Sequence, residues 1–362
     1  MQAFLDGFNE DVIKKIILQM RTRYVIIAVM KSCGIKVNDM ADRRKKKKKG
    51  FGLIIFLLLI LLMCGGLFFV ADHYLSKINR VEEVVTVAED FETEENEGLD
   101  EMNPENVEWG EIAPLMDDDL LNILLVGQDR RPGQGRQRSD TMIVCSINVK
   151  TKKIAMISFL RDLYVQIPGH TDNRLNAAYV FGGFPLLKDS LKTNFGITVD
   201  GCFEVDFNGF IALIDEIGGV DISLTAAEAK VVGGGTVEGE NHLNGELALN
   251  YARIRKIDSD FQRTNRQRKV LLACYEKVKR SSLKEMLSLL DQALPNLTTD
   301  MTNTQIYAIM TKLFSLFGKV EINTYHIPPD GTYTNVYIRG MAVLYPDLKA
   351  IRDILAEQYM PF

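Results

Sequence analysis

Residues 121–150 read LNILLVGQDRRPGQGRQRSDTMIVCSINVK, and this stretch decides the class of fold. The apolar runs Leu121–Val126 and Met142–Val149 each have the length and the β-branched content of a buried strand. The segment between them, Gly127–Thr141, is polar and rich in glycine and arginine, which predicts a loop. The stretch therefore predicts two strands joined by a long charged loop.

Strands and helices alternate after this stretch. Further strands are predicted at Lys153–Phe159, Leu163–Ile167, Phe203–Asp206 and Val220–Ser223. Helices are predicted at Pro185–Asn194, Phe207–Ile217, Asn244–Tyr251 and Phe261–Arg280. Asn244 is expected to cap the third of these helices, and Asp258, Ser259 or Asp260 the fourth. Elements that interleave in this way predict an α/β layered domain, although they do not fix the strand order.

The 362 residues carry a net charge of −5, but the charge is divided into three blocks. Residues 1–81 hold 15 basic and 6 acidic side chains, and residues 82–119 hold 16 acidic and no basic ones. The remaining residues are nearly neutral, with 28 basic and 26 acidic side chains. Such a division indicates three different environments. A hydrophobic content of 46% excludes a chain that is disordered throughout.

Residues 51–71 form an uncharged apolar run that predicts a transmembrane helix. The run starts too far from residue 1 for a cleaved signal peptide, so we expect a permanent anchor. Seven consecutive basic residues, Arg43–Lys49, precede it, and the positive-inside rule then places residues 1–50 in the cytoplasm. Anionic headgroups explain the basic run better than nucleic acid does, so we expect no nucleic-acid partner.

The domain plan that follows has four parts. Residues 1–50 are a cytoplasmic tail, 51–71 the membrane helix, 72–119 an acidic extracellular linker and 120–362 the outer domain. Two interpretations of residues 1–42 stay open: a helix on the membrane surface, or sequence upstream of a true start at Met40. The linker is expected to be a solvated spacer, because its acids lack the spacing of a calcium loop.

In the outer domain, the arginines are the residues that indicate its chemistry. Of the 14 arginines in residues 120–362, 11 lie between Arg130 and Arg268, which favours an anion site. Some of these arginines stand two residues from an acid or from another arginine, a spacing that puts both side chains on one side of an extended chain. The pairs are Asp129 and Arg131, Arg138 and Asp140, and Arg253 and Arg255. Others share one face of a predicted helix: Arg263, Arg266 and Gln267. Arg161 lies just after a strand. Structural salt bridges are the alternative, but acids beside arginines also suit a metal–diphosphate site.

Several other chemistries have no motif in this chain. HExxH, GxSxG and the phosphate-binding GK[ST] loop are absent, which argues against metalloproteases, serine hydrolases and nucleotide kinases. No CxxC pair occurs, so neither a zinc site nor a thioredoxin-like site is indicated.

Seven short motifs in series resemble the LytR-CpsA-Psr family, over roughly Leu121–Glu276. They are Gly127–Arg131 (GQDRR), Arg138–Thr141 (RSDT), Arg161-Asp162, Asn176–Tyr179 (NAAY), His242–Glu246 (HLNGE), Tyr251–Arg255 (YARIR) and Asp260–Arg263 (DFQR) with Arg266-Gln267. Two departures are small: Leu160 stands where the family usually has proline, and Arg174 where it commonly has lysine.

The resemblance implies a glycopolymer phosphotransferase of the bacterial cell wall. Such an enzyme transfers a glycosyl phosphate, from teichoic acid, capsule or another wall polymer, from a polyprenyl-diphosphate carrier to a sugar hydroxyl of peptidoglycan. It implies an α/β/α sandwich with a mixed central sheet and an apolar channel for the prenyl chain. By position, Asp129, Asp140 and Arg138 match catalytic residues, and the two acids would hold Mg²⁺ or Mn²⁺. The diphosphate-binding residues would be Arg131, Arg161, Arg253, Arg255, Arg263, Arg266 and Gln267.

Three questions stay open at this point. A hydrolase that cleaves the polyprenyl diphosphate with water would use the same site, and a non-catalytic envelope regulator would use it only for binding. Either Asp129 or Asp140 could accept the proton of the acceptor hydroxyl. The oligomeric state is not predicted.

We expect a single-pass protein of the cell membrane, with its catalytic domain outside the cell.

Overall fold

The computed structural model describes residues 72–81, 91, 93–110, 112–115, 117, 119–130, 135–313, 316 and 320–361. The predicted cytoplasmic tail and the predicted membrane helix at 51–71 lie outside these residues. Within the described ranges, every helix is too short or too polar to cross a membrane.

A mixed sheet of seven strands is the centre of the domain. Its strands are β1 (Asn79–Arg80), β2 (Leu120–Gln128), β3 (Ser139–Asn148), β4 (Lys153–Phe159), β7 (Gly201–Asp206), β10 (Thr298–Thr299) and β11 (Glu321–Ile327). They lie side by side in the order β1-β10-β7-β2-β3-β4-β11. The pairs β1–β10, β7–β2 and β4–β11 are parallel, and the other pairs are antiparallel.

Three two-stranded ribbons stand apart from this sheet. They are β5 (Tyr164–Val165) with β6 (Asn173–Arg174), β8 (Val220–Leu224) with β9 (Gly239–Leu243), and β12 (Tyr333–Ile338) with β13 (Met341–Pro346). Leu163–Ile167 was predicted as one strand, but only Tyr164 and Val165 pair with β6, while Leu163 makes an isolated parallel bridge to Leu344.

The helices are α1 (Leu175–Phe195), α2 (Phe207–Glu216), α3 (Ala226–Val232), α4 (Gly245–Ala252), α5 (Asp260–Lys279), α6 (Leu283–Ala293), α7 (Asn303–Leu313) and α8 (Leu348–Ile354). The predicted cap of α4 is confirmed, because the side chain of Asn244 accepts a hydrogen bond from the backbone of Leu247. Helix α5 begins at Asp260, one residue before the predicted start at Phe261. Ser259, one of the three predicted caps, holds the cap position but makes no side-chain capping bond.

Side chains that alternate along β2 build a core on each face of the sheet. Leu124 and Val126 pack on one face in the cluster that holds Leu187 and Leu191 of α1. Leu121 and Ile123 pack on the other face, against Ile309 of α7. Helices therefore cover both faces, which confirms the predicted α/β/α sandwich with a mixed central sheet.

Helix α1 begins ten residues before the predicted start at Pro185. A break at Gly183, with φ 64° and ψ −150°, separates its two halves and conceals the helical pattern in the sequence. A Cβ atom at Gly183 would lie 3.0 Å from the guanidinium carbon of Arg136, so this position requires glycine on two grounds.

Within 72–119, the described residues dock on the domain and do not form the solvated linker that the sequence predicts. Leu75 and Ile78 are buried against Met301, and β1 forms one end of the sheet. Farther along, the indole of Trp109 donates a hydrogen bond of 2.7 Å to Asp172. The high acid content conceals a few well-spaced apolar side chains, each of which packs against the domain, so the compact unit begins at Asp72.

Candidate active site

The two predicted site acids lie where β2 ends and β3 begins. Gly127 pairs with Thr141 and Gln128 pairs with Ser139, so Asp140 is the extra residue of a β-bulge. Asp129 directly follows the last residue of β2. Bulges commonly redirect a side chain next to a functional site, and this one brings a carboxylate to the same edge of the sheet as Asp129.

Three arginines converge on Asp140. Nη1 of Arg161 and Nη2 of Arg255 lie 2.9 and 3.1 Å from its Oδ1 atom. Nη2 of Arg263 donates to its backbone carbonyl at 3.3 Å. Burial opposes ionisation of Asp140, but the guanidinium groups of Arg161, Arg255 and Arg263 together outweigh it and lower the pKa of the carboxyl. The three arginines come from three separate segments of the chain: Arg161 follows β4, Arg255 follows α4, and Arg263 lies on α5.

Arg263 brings unused donors into this cluster. It is 1% exposed, and Nη2 also bonds to Asp260 at 2.9 Å. Its Nε and Nη1 atoms have no hydrogen-bond partner among the described residues. A buried donor without an acceptor is costly, so two such atoms on one guanidinium suit an incoming oxyanion. Burial lowers the pKa of Arg263 and raises the pKa of Asp260.

An open cleft of about 320 Å³ lies beside Asp129. Nη2 of Arg253 is 3.5 Å from Oδ2 of Asp129, and its guanidinium carbon lies 4.2 Å from the centre of the Phe207 ring. The cleft is lined by Asp129, Arg130, Phe207, Asn208, Ile211, Leu249 and Arg253. It is large enough for a sugar ring or a phosphate group next to a carboxylate.

Arg266 does not join the Asp140 cluster, which corrects the sequence prediction. Its side chain is 4% exposed and forms ion pairs with Glu228 at 2.8 Å and with Asp258. Nη1 also donates to the carbonyl of Ile254 at 3.2 Å, and Ile254 is the residue between Arg253 and Arg255. Arg266 therefore holds the backbone that presents two arginines to the site, rather than presenting a guanidinium of its own.

The other predicted residues are placed as follows. Arg138 lies just before β3, with its guanidinium carbon 5.9 Å from the centre of the Phe181 ring. Gln267 lies one turn after Arg263 on α5, and its buried Oε1 atom has no hydrogen-bond partner in the described part of the chain. Arg131 lies outside the described residues.

Sequence reasoning missed a buried chain of polar groups beside Asp129. The hydroxyl of Tyr179 donates to Glu204, and Nη2 of Arg130 lies 3.3 Å from the other oxygen of Glu204. Burial and the charge of Glu204 raise the pKa of Tyr179, so it remains a neutral donor. An acid inside the apolar strand β7 was the available signal. Asp260 was also missed as a site acid, although its spacing of three from Arg263 was visible.

A metal ion would find few protein ligands here. Among the described residues there is no group of three or more His, Cys, Asp or Glu side chains that could hold one. Asp129 and Asp140 could together supply two carboxylates. That number fits Mg²⁺, which commonly takes one or two carboxylates and completes its shell with water and substrate phosphate. Two carboxylates alone suit a closed Zn²⁺ site, which has four protein ligands, poorly.

The chain matches the model of the LytR_cpsA_psr family over residues 79–358. One relative is the regulatory protein MsrR of Staphylococcus aureus (strain COL), 37% identical over 162 residues, or 44% of this chain and 49% of MsrR. Another is the polyisoprenyl-teichoic acid–peptidoglycan teichoic acid transferase TagU of Oceanobacillus iheyensis, 37% identical over 203 residues, or 53% of this chain and 62% of TagU. The chain thus spans about half the length of MsrR.

A solved structure of similar fold is that of TagT bound to LIIa-WTA. The TM-score is 0.56 and the sequence identity is 26%, over 69% of this chain and 96% of the TagT chain.

Proposed function

The chain belongs to the LytR-CpsA-Psr family, and from this premise we propose that it transfers a glycosyl phosphate from a polyprenyl-diphosphate carrier to a sugar hydroxyl of peptidoglycan. One observation carries the proposal: Asp140 is surrounded by Arg161, Arg255 and Arg263, and the last has buried donors to spare. Arginine matches phosphate oxygens with paired donors, so this cluster suits a diphosphate. The names of TagU and TagT point to teichoic acid as the polymer.

The reaction needs one bond to form and one to break. The oxygen of the acceptor hydroxyl attacks the phosphorus that carries the glycan, and the bond from this phosphorus to the bridging oxygen breaks. The bridging oxygen leaves on the prenyl phosphate, and the hydroxyl proton passes to a carboxylate. Arg161, Arg255 and Arg263 would hold the phosphates and offset the negative charge, which supplies most of the rate in phosphoryl transfer.

Asp129 is the better candidate for the proton acceptor. It lies on the open cleft with Arg253, where an acceptor sugar could enter. Asp140 is a weaker base, because its three arginines lower the pKa of its carboxyl. Asp129 and Asp140 would be the protein ligands of Mg²⁺, which would neutralise charge on the diphosphate oxygens.

We assign the prenyl chain to the apolar face of the sheet near α7. Leu125, Cys145 and Leu313 are only partly buried there, next to the fully packed Leu121 and Ile123. Leu125 lies on β2 and Cys145 on β3, the two strands whose ends carry Asp129 and Asp140. A bound apolar chain would remove this surface from water close to the diphosphate cluster.

The experiment is a transfer assay with the full-length protein in detergent. The donor is a disaccharide on a polyprenyl diphosphate, the acceptor is a peptidoglycan oligomer, and Mg²⁺ is added or removed with EDTA. We expect a covalent glycan–phosphate–peptidoglycan product by mass spectrometry. Release of free phosphorylated disaccharide without joining would identify a hydrolase, and absence of any turnover would leave a binding protein.

We also propose that the domain lies outside the cell, anchored by the predicted helix at residues 51–71. The support is the basic run before that helix and the acidic block after it. Protease added to intact protoplasts should remove the domain and leave a short membrane-bound fragment. Full protection of the domain would refute this orientation.

A further inference from the structure

The acidic segment before β2 is docked on the β12–β13 ribbon. The amide of Glu94 donates to the carbonyl of Gly340 at 2.8 Å, and the amide of Met102 donates to Tyr337 at 2.9 Å. Phe91, Met102, Val107 and Trp109 pack against the apolar side of the ribbon. We call residues 93–102 the strap. It is held by backbone bonds and apolar contacts, so its position is defined.

A chain of ion pairs runs from the strap to the active site. Oε2 of Glu94 lies 2.8 Å from Nη2 of Arg174, and Nε of Arg174 lies 3.6 Å from Oδ1 of Asp162. The other oxygen of Asp162 lies 3.4 Å from Nε of Arg161, whose Nη1 is 2.9 Å from Asp140. Negative and positive groups alternate along the whole path. Asp162 is shared by Arg174 and Arg161, and Asp140 is shared by Arg161 and Arg255.

We propose that Glu94 is a positioning residue for Arg161, acting through Arg174 and Asp162, so that the docked strap sets how well the site holds a diphosphate. The inference rests on the proposed function only in taking Arg161 as a phosphate-binding residue. Under this proposal the acidic segment helps to position Arg161, whereas the sequence alone indicated a spacer.

The physical reason lies in the burial of Arg174. Its side chain is 4% exposed, so water cannot solvate its charge and carboxylates must match it. With Glu94 present, Asp162 is free to share its second oxygen with Arg161. Nη2 of Arg174 also donates to the carbonyl of Ala342 at 2.6 Å, but this acceptor carries no charge. Without Glu94, Asp162 is the carboxylate that remains paired with Arg174, so it should move toward Arg174 and away from Arg161. Glu94 itself is about half exposed, and glutamine at this position keeps an oxygen acceptor for Arg174, so Glu94→Gln should leave the protein folded.

The test measures binding of inorganic pyrophosphate with Mg²⁺ by calorimetry, with the full-length protein in detergent. Glu94→Gln should weaken binding by about 2- to 30-fold, the range expected for coupling through a contiguous polar network. Glu95→Gln is the matched control, because it removes the same charge from an exposed neighbour in the strap. It should bind like the wild type, and binding is compared at a temperature at which both variants are fully folded.

A double-mutant cycle separates positioning from a general charge effect. If Glu94 acts through Arg161, the combined variant Glu94→Gln/Arg161→Lys should bind little worse than Arg161→Lys alone. Additive losses, or equal binding by Glu94→Gln and Glu95→Gln, would overturn the inference. If the wild type does not bind pyrophosphate, both the inference and the proposed site are wrong. If pyrophosphate binding follows the expected pattern but no glycan is transferred, only the proposed function fails.

Discussion

Arg255 and Arg266 give opposite predictions, although both were predicted from sequence to bind the diphosphate. The side chain of Arg255 is 46% exposed and touches Asp140 at 3.1 Å. A pair this exposed contributes about 0.2–1 kcal/mol to stability. At roughly 2–4 °C per kcal/mol for a domain of this size, Arg255→Ala should lower the melting temperature by at most about 4 °C.

The effect of Arg255→Ala on transfer should be much larger. Loss of a donor to charge that develops in the transition state costs about 2.7–4 kcal/mol, or roughly 10²–10³ in rate. Arg255→Lys should recover only part of this, because an ammonium group cannot replace two parallel guanidinium donors.

Arg266→Ala should show the reverse order of effects. It leaves the nearly buried carboxylate of Glu228 without its arginine partner, although the backbone of Thr225 still donates to the other carboxylate oxygen. Breaking a buried pair from one side costs about 3–5 kcal/mol, or roughly 6–20 °C in melting temperature.

The assay is single-turnover transfer with the polyprenyl-linked disaccharide, beside a melting curve for each variant. Rates are divided by the folded fraction at the assay temperature. Normal transfer by Arg255→Ala, or a melting temperature unchanged by Arg266→Ala, would refute the assignment of one arginine to chemistry and the other to the fold.

Three further predictions concern Asp140 and Cys145. Asp140→Ala should abolish the Mg²⁺-dependent part of turnover while circular dichroism stays unchanged; turnover with the original Mg²⁺ dependence would contradict the metal assignment. The lowered pKa of Asp140 means that its stabilising effect is present above its ordinary pKa of about 3.9 and is lost as the pH falls through the lowered value. Asp140→Asn should therefore lose urea stability at pH 7 but little near pH 2. Cys145→Phe fills the apolar sheet face, so it should weaken binding of a long-chain prenyl diphosphate and leave inorganic pyrophosphate binding unchanged; equal effects on both ligands would argue against a prenyl seat there.

Strands were predictable wherever an apolar run ends in a sharp change of composition. Strand β4 has the predicted bounds, Lys153–Phe159. The start of α1 was missed because Gly183 and Pro185 break the helical pattern. Residues 72–119 were assigned to a spacer because their average composition is acidic, while their packing depends on single side chains such as Ile78 and Trp109. Averages cannot detect such isolated contacts.

The error over Arg266 has a definite physical origin. The spacing of Arg263, Arg266 and Gln267 places them near one another on α5, but neighbouring positions on a helix still differ in direction by tens of degrees. Arg263 meets the carbonyl of Asp140, whereas Arg266 meets Glu228 of α3, 38 residues earlier in the chain. Local spacing gives the face of a helix, and only the tertiary packing shows which acid lies opposite each residue.

Spacing by two residues predicted that Arg253 and Arg255 serve the same site, but it did not predict which acid each one contacts. Ile254 is 2% exposed, and the arginines on either side of it reach different acids, Asp129 and Asp140. The buried residue thus anchors one loop across the ends of β2 and β3. Arg138 and Asp140 have the same spacing, but the bulge at Asp140 breaks the alternation, and the guanidinium of Arg138 lies by the ring of Phe181. The bulge that turns Asp140 toward Arg161, Arg255 and Arg263 is therefore also the feature that a sequence pattern of period two cannot represent.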